Sequence, residues 1–239
     1  MQYYYVTGAN RGIGRGLVDR LLQMPDATVI GVGRTSSVEH PRYRHLTLDL
    51  RDMQAVQAFQ FELHPDATRI VLVNNAGALT VKPIGHERHD AIVNDYLVNL
   101  VSLTVLANAF VATYAGTGVE KVLLNISSGA GARPTDGWAV YCASKACVDM
   151  LSRCIELEQQ RAPHPVRVLS VAPGVVDTDM QGVIRATDAA DFSRVEEFVG
   201  FKQSGALADP TVVAEKLVRI IGDPSLTPNV VLSLRDIQL

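Results

Sequence analysis

The sequence predicts one α/β domain over residues 1–239, a doubly wound and mainly parallel sheet of seven strands with helices on both faces. Two observations lead there. Short runs rich in Val, Ile and Leu alternate with stretches whose apolar residues recur at helical spacing. Such alternation lays parallel strands beneath crossover helices. The first run also passes straight into a glycine-rich turn and then a helix, the opening unit of many open α/β sheets. No repeat, low-complexity tract or linker divides the chain, and 239 residues are enough to bury a large core.

The first strand is Tyr3-Tyr4-Tyr5-Val6, followed by Thr7-Gly8-Ala9-Asn10-Arg11-Gly12-Ile13-Gly14. Leu17, Val18, Leu21 and Leu22 then mark a helix. Glycines let backbone approach a pyrophosphate, and the helix N-terminus supplies N–H donors and a positive dipole end. The spacing G-x-x-x-G-x-G differs from the commoner G-x-G-x-x-G. With a strand before it and a helix after it, this reads as a dinucleotide cradle in preference to a plain packing turn. The second strand, Ala27 to Gly33, ends in Arg34-Thr35-Ser36. A carboxylate there would bind the ribose hydroxyls of NAD, whereas an arginine accommodates a 2′-phosphate. Arg34, with Arg11 joining it, therefore selects NADP(H).

His45 to Leu50 reads as the third strand. Asp49 either accepts from the adenine amino group or caps the helix starting near Asp52, and both can hold. Ile70 to Val73 is the fourth strand and closes on Asn74-Asn75-Ala76-Gly77, small residues and amides suited to close cofactor approach. A helix from about Asp90 to Tyr114 contains Asn99, whose amide needs partners if buried and serves either a local bond or a proton relay. His86 and His89 are at i, i+3, not H-E-x-x-H, so no metal site is expected.

Val122 to Ile126 is the fifth strand, followed by Ser128 and then Tyr141-x-x-x-Lys145. At i, i+4 on a helix the phenol and the ammonium share a face. An ammonium so placed favours the phenolate and brings a group of ordinary pKa about 10 toward the working range. Ser128, Tyr141 and Lys145 can thus converge on one bound carbonyl. Val166 to Val171 is the sixth strand, broken by Pro173-Gly174 and followed by Val175-Val176-Asp177-Thr178. Residues 179–205 form a polar insertion expected to act as a substrate lid. A helix capped by Asp209, with Pro210 at its first position, runs to about Ile221, and Asn229 to Leu234 completes the sheet.

The net charge of -3 excludes a general binder of nucleic acid or of membrane surfaces. No unbroken apolar run approaches the roughly 18 residues that span a bilayer. The chain opens on a strand without a basic leader, so a cytoplasmic location is expected. Cys142, Cys147 and Cys154 lack ligand spacing and suit buried, reduced thiols.

Taken together, Thr7-Gly8-x-x-x-Gly12-x-Gly14, Asn74-Asn75-Ala76-Gly77, Asn99, Ser128, Tyr141-x-x-x-Lys145 and Pro173-Gly174 resemble the short-chain dehydrogenase/reductase family over essentially the whole chain. Asn125 to Ser128, Gly137 to Cys142, Ala172 to Gln181 and Ser204 to Leu207 look most like its sepiapterin reductase and benzil reductase group. The resemblance implies a Rossmann fold and a homodimer or homotetramer built through the two long helices, about 90–114 and 138–161. It implies that Tyr141 gives the proton to a carbonyl oxygen, Lys145 lowers the tyrosine pKa and holds the nicotinamide ribose, Ser128 bonds the carbonyl, and Asn99 anchors a water. It also implies a cofactor surface of Gly8, Asn10, Arg11, Gly12, Ile13, Gly14, Arg34, Thr35, Asp49, Leu50, Asn75, Ala76, Gly77, Tyr141, Lys145, Pro173, Gly174, Val176 and Thr178.

The last strand departs from the sepiapterin pattern. The Asp that binds the pterin ring in those enzymes aligns with Ser233, and Asp236 follows three residues on. The expectation is therefore an NADPH-dependent reductase of small-molecule carbonyls, preferably 1,2-dicarbonyls, with Trp138 and Met180 as apolar walls, Trp138 equally suiting plain core. A sepiapterin reductase, a sugar-nucleotide epimerase or dehydratase, and a non-catalytic NADP(H) sensor are the competing readings. A serine hydrolase is disfavoured, because Ile126-Ser127-Ser128-Gly129-Ala130 is not G-x-S-x-G.

Overall fold

In the computed structural model, which describes residues 1–237, β1 (Gln2–Thr7) leads through the glycine turn into α1 (Gly12–Leu21) and back to β2 (Ala27–Gly33). β3 (Tyr43–Thr47), α2 (Met53–Ala58) and β4 (Arg69–Asn74) complete the first half. In the second half α3 (His89–Tyr96) and α4 (Ser102–Tyr114) lead to β5 (Glu120–Ile126), and α5 (Ala139–Gln159) leads to β6 (Arg167–Ala172). After α6 (Asp179–Arg185), α7 (Val195–Gln203) and α8 (Pro210–Gly222), β7 (Val231–Ser233) ends the sheet.

All seven strands are parallel, in the order β3-β2-β1-β4-β5-β6-β7. The order reverses between β1 and β4, so a crevice opens at their carboxyl ends, the place where open α/β sheets bind ligands. Alternate residues of each strand feed two cores. Val6, Val29, Val71 and Leu124 pack beneath α1 and α8 with Leu17, Leu217 and Ile220. Tyr5, Ile30, Leu72 and Leu123 pack on the other face with Leu106 and Phe110 of α4.

Three sequence expectations shift. β3 ends at Thr47, not Leu50, because its only neighbour β2 stops at Gly33, the residue in register with Thr47. β7 is shorter than expected, since only Ser170 to Ala172 of β6 are in register with it. The long helix is one rod from His89 to Tyr114, but Leu97–Val101 forms a π turn in its middle. By length and a mean hydropathy of 1.6 that rod is apolar enough to cross a membrane, which a search for an unbroken apolar run misses. Leu106, Ala107, Phe110 and Tyr114 are instead buried against the sheet.

Candidate active site

The glycine turn is shaped by backbone approach. Gly8 (φ 67°) and Gly12 (φ 54°) take left-handed conformations that favour glycine. A Cβ on Gly14 would lie 2.2 Å from the Gly8 carbonyl oxygen, so no side chain fits there. α1 begins with no side-chain cap and no acidic residue in its first turn, leaving its N–H groups and dipole available to an anion. A dinucleotide pyrophosphate fits this cradle.

Thr7, which opens the glycine motif but carried no expected role of its own, organises the turn. Its Oγ1 accepts from the Asn75 N–H (2.9 Å) and the Ala76 N–H (3.0 Å). Asn75 in return donates its amide to the carbonyls of Thr7 (2.9 Å) and Gly8 (3.3 Å). The signal was a β-branched hydroxyl at the last position of a buried strand. Asn75 thus fixes the cradle through its side chain instead of offering that side chain to a ligand. Asn10 is similarly engaged: its Oδ1 accepts from Ser37 N–H (2.9 Å), and its Nδ2 donates to Thr35 (3.4 Å).

Of the cationic pair, Arg34 is exposed at the end of β2 and forms no ion pair among the described residues. Arg11 instead reaches Asp179 at the start of α6, 2.9 Å away, so the two arginines do not meet. Asp49 does not cap α2; Asp52 does, accepting from Ala55 N–H. Asp49 is paired with Arg51 (2.6 Å), which holds its carboxyl down at about 2. Leu50 and Ile13 turn their side chains into the cores, leaving only backbone for a ligand.

On the other side of the crevice, Gly174 (φ 88°) breaks away from β6. Val176 pairs with Ala208 in an isolated parallel bridge, tying together the two ends of the 179–205 insertion. Thr178 comes to the cradle, its Cγ2 3.0 Å from a Cβ built on Gly12. Met180 reaches toward Gly77, with its Cε 3.9 Å from a Cβ built there.

Tyr141 and Lys145 sit together in the first turns of α5, 8% and 3% exposed. The Lys145 ammonium donates to the Ile126 carbonyl at the end of β5 (2.7 Å) and lies 5.6 Å from the centre of the Tyr141 ring. It retains two further N–H donors. Two residues beyond Ile126, Ser128 accepts from Ala130 N–H (3.2 Å) and caps a short 3-10 turn, so strand end, serine and helix meet at one point.

The electrostatics differ from the expectation of an activated phenolate. Burial pushes Tyr141 up to about 12, while the Ser128 hydroxyl pulls it the other way. Burial also pushes Lys145 down to about 8, against the pull of Asp149. Desolvation penalises both charged forms, so the isolated pair rests as a neutral phenol beside a readily titrated amine. Asn99 is fully buried, and its amide both accepts from Ala78 N–H (2.8 Å) and donates to Ala78 O (2.8 Å). Of the two expected uses, the side chain takes the local bond. It anchors the π turn, a feature frequent at functional sites.

The insertion is less polar than it reads. Phe192, Val195 and Phe198 are buried with Trp138, which stacks on Phe192 (5.2 Å between ring centres) and meets Tyr141 edge-on (5.8 Å). Trp138 therefore joins the apolar core of the insertion beside Tyr141 and is not a free wall. The i, i+3 spacing of Phe192, Val195 and Phe198 was the missed signal. Cys147 and Cys154 are exposed rather than buried, lying on the face of α5 turned from the sheet. Ser233 ends β7, and Asp236 lies exposed in the turn beyond it.

The model of the short chain dehydrogenase family matches residues 2–189. A benzil reductase ((S)-benzoin forming) of Bacillus subtilis (strain 168) is 34% identical over 92% of this chain and 93% of its own. The sepiapterin reductase of Meriones unguiculatus is 32% identical over 90% of this chain and 89% of its own. Among solved structures, a putative NAD(P)-dependent gluconate 5-dehydrogenase from Beutenbergia cavernae, with bound NADP at low occupancy, superposes with a TM-score of 0.81. That structure is 26% identical and covers 98% of this chain and 94% of its own. With the sheet order, the glycine cradle and the Tyr141–Lys145 pair all in place, the chain belongs to the short-chain dehydrogenase family, in the group of the benzil and sepiapterin reductases.

Proposed function

We infer that the protein is an NADPH-dependent carbonyl reductase whose preferred substrates are 1,2-dicarbonyls. The observation that carries this is the meeting of a buried tyrosine, a buried lysine and a serine beside a glycine cradle at one sheet edge. When bound in that cradle, a reduced nicotinamide supplies a hydride. The chain's own residues do the rest. Ser128 donates a hydrogen bond that orients the carbonyl oxygen, and Tyr141, neutral at physiological pH, gives that oxygen its proton. Lys145, pinned to Ile126, uses its free donors to hold the nicotinamide ribose and stabilises the phenolate as it forms. The 179–205 insertion, whose Phe192, Val195 and Phe198 pack on Trp138 beside Tyr141, serves in this reading as the lid over the carbonyl.

Arg34 supports the preference for NADP(H), since an exposed guanidinium without an acidic partner stands where NAD-specific sheets carry a carboxylate. The names of the two relatives leave benzil-type and pterin substrates open. Ser233 in place of a carboxylate, with Asp236 displaced into an exposed turn, favours the diketones. The protein is further proposed to be cytoplasmic and to assemble as a homodimer or homotetramer.

The test is loss of NADPH absorbance with benzil, smaller 1,2-diketones and sepiapterin, repeated with NADH. Turnover of diketones, with NADPH favoured and sepiapterin inert, is the expected result. Turnover of sepiapterin would place the pterin anchor outside Ser233, and tight NADPH binding without any turnover would favour a sensor.

A further inference from the structure

The loop that follows β2 is held by hydrogen bonds on both of its sides. Arg34 to Ser37 are exposed and lie beyond the carboxyl end of β2, where an open α/β sheet reads the adenosine ribose. Thr35 accepts from the Asn10 amide (3.4 Å). Ser36 donates to the hydroxyl of Tyr43 in β3 (3.1 Å) and accepts from Val38 N–H (3.1 Å). The Tyr43 hydroxyl fits there because β2 carries Gly31 beside it; a Cβ at Gly31 would lie 2.0 Å from the phenol oxygen. Ser37 donates both its N–H (2.9 Å) and its hydroxyl (2.8 Å) to Asn10 Oδ1. Three of the four side chains are thus engaged, whereas Arg34 forms no ion pair among the described residues.

On the α1 side the clasp ends in a residue to which neither the motif nor the chemistry above gives a role. Arg15 donates its Nη1 to Ser37 Oγ, 3.2 Å away, so that hydroxyl accepts from Arg15 while it donates to Asn10. The Nε of Arg15 donates to both carboxylate oxygens of Asp19, one turn further along α1 (2.8 and 2.9 Å). Both side chains are more than a third exposed, so this ion pair adds little stability by itself. What it fixes is direction. With Nε taken by Asp19, the rigid guanidinium fork turns its terminal nitrogens to the loop. Arg15 also borders an open cavity of about 460 Å³ shared with Gly12, Thr178 and Asp209, so it is not a plug in a core.

Arg11 lies one turn before Arg15, yet its guanidinium goes elsewhere, to Asp179 of α6. The partnership with Arg34 that the sequence suggests for Arg11 therefore falls to Arg15, the arginine of the glycine unit that is bonded to the 34–37 loop. A loop ordered in advance loses less freedom when it binds, and the saving appears as affinity. That affinity is selective when the ordered group is an arginine aimed at a phosphate, because NAD(H) has only a hydroxyl at the same position.

We propose that Arg15 is a positioning residue for cofactor selection. Through Ser37 it clasps the 34–37 loop to the glycine turn and sets Arg34 against the 2′-phosphate of NADP(H). The proposal deepens the reading of Arg34 as the selecting residue and rests on it.

The experiment measures binding and needs no turnover. NADPH and NADH are titrated by fluorescence, and adenosine 2′,5′-bisphosphate and adenosine 5′-monophosphate by calorimetry, for the wild type, Arg15→Gln, Ser37→Ala and the double variant. Arg15→Gln is expected to weaken NADPH and the bisphosphate by about five- to tenfold and to leave NADH and the monophosphate within about twofold. Ser37→Ala should have a similar effect, and the double variant should lose little more than either single one, because both act along one chain of bonds. Equal losses for NADPH and NADH would make Arg15 a merely structural residue and overturn the proposal. Fully additive losses would overturn it too, since Arg15 would then act without Ser37. A wild type that binds both cofactors equally refutes the NADP(H) reading itself. A wild type that prefers NADPH, with Arg15→Gln indifferent, refutes only the role of Arg15.

Discussion

At the scale of single residues, burial sets the chemistry. With Tyr141 raised to about 12 and Lys145 lowered to about 8, the form that the proposed reduction requires is a neutral phenol beside an ammonium. Lys145 has a folded pKa below its ordinary 10.5, so it loses its proton earlier than a solvated lysine. Reduction should hold level below pH 8 and fall as pH rises through about 8, read as kcat against pH. A profile flat to pH 10 would remove Lys145's charge from the rate. Arg34→Asp should shift preference toward NADH, measured as the ratio of kcat/KM for the two cofactors. An unchanged ratio would leave the phosphate to Arg11 once its ion pair with Asp179 opens. The residues of the candidate site were legible in the sequence because Ser128, Tyr141 and Lys145 stand in order with the glycine turn and the other motifs, although the Tyr-x-x-x-Lys spacing alone is weak. Their protonation was not, because desolvation depends on how deeply α5 sinks into the domain.

At the scale of elements, the strands and helices were read from periodicity, and the misses have physical causes. The π turn follows from Asn99 gripping Ala78, a tertiary bond that no local propensity reports. The 179–205 insertion read as polar because its exposed residues outnumber the few that pack on Trp138. Its attachment depends on Gly137, whose φ of 67° and whose Cβ position, 2.5 Å from the Asp191 carbonyl oxygen, both exclude a side chain. Lys82 and Asp191 clamp the same corner. Gly137→Ala should cost at least about 1 kcal/mol of stability. It should also raise KM for the carbonyl while leaving NADPH affinity nearly unchanged, as calorimetry and steady-state kinetics would report. An equal loss of NADPH affinity would mean that the lid and the cradle are not separable.

At the scale of the whole molecule, strand and helix alternation implied a doubly wound parallel sheet, whereas the strand order, and with it the crevice where that order reverses, is a property of the folded chain that alternation does not specify. The surface was less legible. Cys147, Met150, Cys154 and Leu157 form an exposed stripe on α5, and Val93 and Val101 are exposed on the neighbouring rod of α3 and α4. Exposed apolar area of this kind marks an interaction surface. A second copy packed through these helices would cover it. Leu157→Arg should then lower the mass seen by analytical ultracentrifugation to that of one chain, and a wild type already monomeric would refute the assembly.

The most direct measurement of the account is the steady-state rate of NADPH oxidation with benzil for the wild type and Tyr141→Phe, beside NADPH affinity by fluorescence titration. The substitution deletes one hydroxyl from a ring that stays packed against Trp138. It should lower kcat by about 10²- to 10⁴-fold and leave NADPH affinity nearly intact. Undiminished turnover by the phenylalanine variant would contradict the central claim that Tyr141 gives the proton.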